Sequence, residues 1–453
     1  MTFRDLFCDR TFNREFLKLS LPLALQSLML ALVAAADAAM LGASDQNSMA
    51  AVSLATQVQF IQNMVLFAIA GGVGVLGAQY WGKGDRAVLE RIFGISVRLS
   101  AIVSVAFFAG CLLAPEALMR LFAHDPTLVS LGVEYLKMVS WSSLLTGISQ
   151  SYLSVMRVTG HASRSAWISS AAVVVNIALN AVFIFGLLGA PAMGVRGAAL
   201  ATVCARVLEL AWCVLGSRGP DFIPLTARAV LRLDRALSRD FWHYTLPILG
   251  ASLLWGGGFT SYTAVMGHLG PDAAAGNSIA AVVRDLLCCL CNGFCGASAI
   301  LIGNELGAGR LETGRRYGDR VFVLAFVVGF ACTLLTLACI PILSRTMKLT
   351  PQAHEYMVGM FVILSVYMIG RSFCTMVING IFTAGGDTRF DVYSLLVAMY
   401  GIALPCAFLG AFHLGWPVLA CYACTCLDEV GKIPWVCLHY RRYQWVRNIT
   451  RDL

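Results

Sequence analysis

The stretch "LGAQYWGKGD", residues 76–85, has a counterpart in "LIGNELGAGR", residues 301–310. The pair Leu21–Pro22 recurs as Leu246–Pro247, at the same spacing of 225 residues. Equal spacing between matching motifs indicates an internal repeat, and repeats of this size are typical of secondary transporters. The repeat therefore predicts two similar halves.

The composition is that of a membrane protein. Of the 453 residues, 58% are hydrophobic and only 13% charged, against about 25% charged in soluble domains. Apolar stretches of roughly 20 residues recur along the chain, each long enough to cross a bilayer as a helix. The predicted fold is an all-α polytopic membrane protein with about twelve transmembrane helices. The predicted spans are 18–42, 51–79, 92–114, 128–157, 166–188, 197–216, 241–267, 274–303, 321–343, 355–383, 391–412 and 417–438.

Six spans in each half give two parallel six-helix repeats around a central cavity. We predict an N-terminal lobe at 1–216, a cytoplasmic linker at 217–240 and a C-terminal lobe at 241–453. If both termini lie in the cytoplasm, about two dozen Lys and Arg residues fall in cytoplasmic segments and only about four in external segments. This topology explains the net charge of +8, so no nucleic-acid partner is predicted. The sixteen cysteines are interpreted as packing residues.

The stretch "LVAAADAAML", residues 32–41, places Asp37 inside an apolar span. Either Asp37 is a buried aspartate that locks helix packing, or it is a protonatable or cation-binding site. Ionisable groups within a membrane are functional sites by default. Asn176 and Asn180 are four residues apart and share a helix face. Their amides either donate hydrogen bonds to a carboxylate, offer oxygens to Na⁺, or serve as interhelical packing contacts.

The sequence resembles the multidrug and toxic compound extrusion (MATE) family of antiporters, in the branch with a first-helix aspartate (DinF-like). The resemblance covers nearly the whole chain. It is carried by Pro22, Pro247, "GAQYWGKGD" at 77–85, "MGVRGAALAT" at 193–202, "GNELGAGR" at 303–310 and "AGGDTR" at 384–389.

The resemblance implies a cation-coupling site made of Asp37, Asn176, Asn180 and Thr202. At position 180 that branch often has Asp, so this chain has one carboxylate where others have two. Proton coupling at Asp37 or Na⁺ binding by Asp37, Asn176 and Asn180 follows as an expectation, with no other metal or cofactor. The resemblance also implies that Pro22 bends the first helix; the alternative is a harmless proline in a first turn.

Broad binders use adaptable Met and amphipathic surfaces, and the expected substrate cavity includes Gln26, Met29, Gln57, Met64 and Tyr262. Arg284 and Arg371 lie within predicted spans, where an arginine needs a partner or water. They either line the cavity or form interhelical ion pairs, for example with Glu305 or Glu209. Adjacent helical residues point apart, so Asp285 is a poor partner for Arg284. Arg206 and Glu209 are spaced for an ion pair.

The predicted function is a proton- or sodium-coupled multidrug efflux antiporter, not an enzyme, in the bacterial inner membrane. Its expected partners are membrane lipid and drug-like, often cationic small molecules; it needs no obligate protein partner and is expected to be a monomer. One alternative is a flippase for lipids or lipid-linked oligosaccharides, of the same superfamily. A less favoured one is an intramembrane enzyme using Asp387 of "GGDTR".

Overall fold

The computed structural model describes residues 10–123, 125–232, 234–347 and 349–452, so residues 1–9 of the predicted first lobe lie outside the described residues. Every regular element in these ranges is a helix. The long helices are α1 (Arg10–Ser44), α2 (Gln46–Gly72, continued through Val73–Gly77 and Ala78–Lys83), α3 (Arg86–Leu113), α4 (Pro126–Val158), α5 (Ala162–Phe185), α6 (Val195–Gly216), α7 (Arg235–His268), α8 (Pro271–Gly307), α9 (Leu311–Thr346), α10 (Pro351–Cys374, continued through Thr375–Phe382), α11 (Arg389–Leu395, Leu396–Ala403 and Leu404–Phe412) and α12 (Val418–Thr425, Leu427–Val430 and Ile433–Arg441).

The helices confirm a polytopic membrane fold. In the described part of the chain, nine helices are long and apolar enough to span a bilayer. Most helices are longer than predicted: α1 begins at Arg10, not at residue 18. Hydropathy marks only the apolar part of a span, whereas the hydrogen-bonded turns continue into the polar interface.

The last predicted span, 417–438, is wrong as a continuous helix. The structure breaks it after Thr425 and again between Val430 and Ile433. Pro434 lies in the first turn of the final segment. Because proline lacks an N–H and clashes with the carbonyl four residues earlier, the helix ends before it and restarts there.

Aspartates begin several of the helices. Asp45 accepts a hydrogen bond from the Ser48 amide at 2.8 Å, and Asp125 accepts from the Thr127 amide at 2.8 Å. Each side chain satisfies an amide that lacks a partner within its helix. The bonds from Ser48 also lower the pKa of the Asp45 carboxyl, because they stabilise its charged form.

The described chain forms two compact units. One is Leu25–Trp242, and the other combines His243–Asp452 with the chain up to Ala24. The first turns of α1 therefore belong to the second unit, where the Phe16 ring lies 5.5 Å from that of Phe294. A Cβ on Gly293 would lie 2.5 Å from the Ala24 nitrogen, so glycine is required for this approach of α8 to α1.

The segment between α6 and α7 packs against α3. Arg98 donates to the carbonyls of Val230 and Arg232 at 3.3 and 3.2 Å, and Arg91 forms an ion pair with Asp234 at 3.3 Å. A short helix, Ala227–Leu231, lies within this segment. The described residues of the predicted linker therefore pack as part of the first unit.

Candidate functional site

Asp37 lies on α1, seven residues before its last residue, Ser44. At 1.5 Å of rise per residue, this is about 10 Å from the helix end. The side chain is half-buried. A carboxylate at this depth needs polar partners.

A line of hydrogen bonds joins Asp37 to α5 and α6. The Asn180 amide nitrogen donates to Asp37 Oδ1 at 2.5 Å and to Asn176 Oδ1 at 3.2 Å. The Asn176 nitrogen lies 3.4 Å from Thr202 Oγ1, and the Thr202 hydroxyl donates to the Ala198 carbonyl at 3.0 Å. The structure thus brings together all four residues predicted for the coupling site.

Asn180 has an acceptor that is not used. Its side chain is fully buried, and its Oδ1 has no hydrogen-bond partner among the described residues. A buried unpaired acceptor costs about 1–3 kcal/mol. The amide nitrogen therefore binds the Asp37 carboxyl, and the amide oxygen is left without a partner among the described residues.

Tyr135 of α4 was not predicted from the sequence. It is buried, and its hydroxyl donates to Gln59 Oε1 at 3.4 Å. A tyrosine in an apolar span does not by itself indicate a functional site, because most tyrosines in such spans are packing residues.

The oxygen donors of the site suit a proton or Na⁺. Among the described residues, no three His, Cys, Asp or Glu side chains come together in a way that could hold a metal ion. The site therefore does not resemble a zinc or transition-metal centre.

Pro22 lies inside α1, twelve residues after its first residue, and not in a first turn. Its ring removes the hydrogen bond to the Lys18 carbonyl. The helix passes from one compact unit to the other directly after Ala24. The missing bond is therefore next to this transition, although its role in bending stays a prediction.

The residues predicted for the substrate cavity differ in how deeply they are buried and in the unit to which they belong. Gln26 is buried, Met29 and Met64 are half-buried, and Gln57 is exposed. In the second unit, Tyr262 and Arg284 line a cavity of about 50 Å³. Phe259, Tyr367 and Tyr422 also line it.

The two acids named as example partners, Glu305 and Glu209, are wrong for both arginines, but Arg371 does form an interhelical ion pair and Arg284 does line a cavity. Arg284 pairs with Asp285 at 2.8 Å and stacks on Phe259 at 4.5 Å. Its long side chain reaches back to the neighbouring carboxylate although the two residues leave the helix in different directions. Arg371 pairs with Glu429 at 2.7 Å. The sequence feature that could have identified this partner is the presence of Glu429 within the last predicted span.

The two acids named as example partners, Glu305 and Glu209, bind other arginines instead. Glu305 binds Arg310, and the predicted pair of Arg206 and Glu209 is confirmed at 2.6 Å.

Comparison with known proteins identifies the class. A family model described as MatE matches residues 22–182 and 247–409. The transporter YisQ of Bacillus subtilis, itself uncharacterised, is 24% identical over 448 residues, covering 97% of this chain and 96% of YisQ. The probable multidrug resistance protein NorM of Bradyrhizobium diazoefficiens is 26% identical over 409 residues, 88% of this chain and 87% of NorM.

Solved structures share the fold. A transporter of the MOP superfamily from Pyrococcus furiosus superposes with a TM-score of 0.87 at 18% identity, covering 96% of both chains. The bent form of the Vibrio cholerae MATE transporter VcmN gives 0.86 at 16% identity, covering 96% of this chain and 97% of VcmN. The chain belongs to the MatE family of membrane transporters and is not an enzyme.

Proposed function

We propose that this transporter is a cation-coupled multidrug efflux antiporter in which Asp37 is the coupling group. The observation that carries the proposal is the hydrogen bond from Asn180 to Asp37, next to an unused Asn180 oxygen. Relatives named as multidrug resistance proteins support export of drug-like compounds. The proposed substrates are amphipathic and often cationic.

The Asn180 amide can accompany Asp37 through both charge states. While the carboxylate is ionised, the amide nitrogen donates to it. When Asp37 takes up a proton, its hydroxyl becomes a donor and a rotated amide offers its oxygen as acceptor. When Na⁺ binds instead, the same oxygen and the carboxylate act as ligands.

Coupling requires that the cation bind one conformation more tightly than another. We propose that cation binding from outside changes the hydrogen bonds between α1, α5 and α6, and that α1 bends at Pro22. Substrate is then released outward. The protein acts as a monomer in the bacterial inner membrane, with both termini in the cytoplasm.

The flippase alternative relied on a strongly cationic cavity. Arg284 and Arg371 are each paired with an acid, and this pairing cancels most of the field that would attract an anionic lipid-linked substrate. Drug export is therefore the better-supported function.

The test is ethidium efflux from proteoliposomes under proton and sodium gradients imposed separately. We expect wild type to respond to one gradient and Asp37→Asn to neither, because asparagine cannot change charge. Asp221→Asn, which changes an exposed aspartate of the same unit, should behave as wild type. Full coupled efflux by a correctly folded Asp37→Asn protein would contradict the proposal.

A further inference from the structure

A basic segment, residues 226–240, joins the short helix after α6 to the first turns of α7. It contains four arginines with exposed side chains, which we call the linker arginines: Arg228, Arg232, Arg235 and Arg239. Among the described residues, none of the four forms an ion pair with an acid. Asp234, one of the two acids in the segment, binds Arg91 of α3 instead. The linker arginines therefore form an exposed group of positive charges.

The segment is held closely against α3. A Cβ on Gly94 would lie 2.2 Å from the Ala229 carbonyl oxygen, so only glycine permits this approach. Arg98 donates to the Val230 carbonyl at 3.3 Å and to the Arg232 carbonyl at 3.2 Å. The short helix of the segment therefore has a fixed position along α3.

Arg98 marks where this contact lies relative to the membrane. It is the last charged residue of α3 before residues 99–113, a run of fifteen without a charged side chain. Such a run is about 22 Å long as a helix, so it fills most of the ~30 Å hydrocarbon core, and that core begins close to Arg98. Arg98 binds the carbonyls on both sides of Leu231. Leu231 therefore lies at the boundary between headgroups and acyl chains.

Leu231 is an apolar side chain with little protein cover at this boundary. It is 78% exposed, and one arginine lies three residues before it and another directly after it. These two, Arg228 and Arg232, are four residues apart, and the Arg232 amide donates to the Arg228 carbonyl at 2.9 Å. They therefore occupy neighbouring places on one turn. Arginines beside an exposed leucine are typical of segments that lie in the headgroup region of an anionic membrane.

We propose that the linker arginines and Leu231 form a binding site for an anionic phospholipid of the predicted cytoplasmic leaflet. A guanidinium group can make two parallel hydrogen bonds to phosphate oxygens, and Arg228 and Arg232 bind the lipid phosphate in this way. Leu231 contacts the acyl chains, while Arg235 and Arg239 add positive charge that attracts an anionic headgroup. The site is separate from the group at Asp37 and does not depend on the proposed coupling role.

The test measures how tightly the purified protein binds phosphatidylglycerol and phosphatidylcholine in mild detergent. Each lipid is titrated, and the bound lipid is counted by native mass spectrometry. We expect the wild type to prefer phosphatidylglycerol by about tenfold or more, because phosphatidylcholine has no net charge. Arg228→Gln/Arg232→Gln should weaken the binding of phosphatidylglycerol by about tenfold and leave that of phosphatidylcholine unchanged.

Matched variants separate the site from net charge and from folding. Arg310→Gln/Arg316→Gln removes the same charge from two arginines that are paired with acids, and it should leave the affinity for phosphatidylglycerol unchanged. Arg228→Lys/Arg232→Lys keeps the charge and should retain most of the affinity. Leu231→Ser should weaken lipid binding, because the contact with the acyl chains is lost. All these side chains are exposed, so the melting temperatures should equal that of the wild type.

The proposal is wrong if the wild type binds both lipids equally, or if Arg228→Gln/Arg232→Gln binds phosphatidylglycerol as the wild type does. An equal loss in the Arg310→Gln/Arg316→Gln protein would also contradict it, since net charge alone would then explain the binding. Displacement of the lipid by glycerol phosphate at equal concentration would show a site for free phosphate compounds and not for lipid. Because the assay measures lipid binding without transport, its result is independent of the efflux test at Asp37.

Discussion

Asn180 controls how much negative charge the candidate coupling site carries. It is fully buried and contacts both Asp37 and Asn176. Its amide supplies one donor to the carboxylate and adds no charge. The proposed site therefore has a single carboxylate, and we expect the identity of residue 180 to influence which cation the site prefers.

Asn180→Asp should make efflux depend more strongly on sodium. Two carboxylates this close repel each other unless a cation lies between them. We expect the Na⁺ concentration for half-maximal ethidium efflux to fall by about tenfold, since charge count tunes cation affinity. Asn47→Asp, the same change at an exposed position in the first turn of α2, is the control. An unchanged sodium dependence would show that residue 180 does not contact the cation.

The sequence alone predicted four residues that the structure brings together, but not which of them are hydrogen-bonded to each other. The i,i+4 spacing of Asn176 and Asn180, with the family resemblance, was sufficient to select them. That Asn180 faces Asp37 while Asn176 faces Thr202 depends on how α1, α5 and α6 rotate about their axes. The position of Tyr135 and the ion pair of Arg371 with Glu429 also depend on packing between distant helices.

At the scale of elements, α1 is one uninterrupted helix that contains a proline. Pro22 leaves the Lys18 carbonyl without its helical partner. Only two residues later, at Ala24, the helix leaves the unit to which its first turns belong. A flexible point at this place would let the part carrying Asp37 move relative to the first turns.

Pro22→Ala should stabilise the protein and impair its transport. Alanine restores the missing hydrogen bond, and proline costs about 3 kcal/mol in a helix interior. We expect a higher melting temperature in detergent together with slower coupled efflux. Pro341→Ala, which changes the interior proline of α9, should raise the melting temperature without slowing efflux. Efflux at the wild-type rate in Pro22→Ala would remove bending at Pro22 from the mechanism.

At the scale of the whole molecule, composition and hydropathy predicted the helical membrane fold well. They located the long helices because burial in lipid requires long apolar stretches. They did not locate the two breaks in α12, of which the second lies just before Pro434. They also could not show that the first turns of α1 pack with the second half of the chain.

The distribution of Lys and Arg predicts that both termini are cytoplasmic. Green fluorescent protein fused after residue 453 should therefore fluoresce in bacteria, since it folds in the cytoplasm. Alkaline phosphatase inserted after Gly270, between α7 and α8, should be active, because that connection is predicted to lie outside. The opposite pattern would reverse the assigned direction of transport.

The contact between Phe16 and Phe294 has a consequence for biosynthesis. Ribosomes add about 5–20 residues per second, so Phe294 emerges on the order of tens of seconds after Phe16. During that interval the aromatic face of the first turns of α1 has no native contact and depends on lipid or on the insertion machinery for cover. The helix α1 thus completes its packing only after α8 has been synthesised.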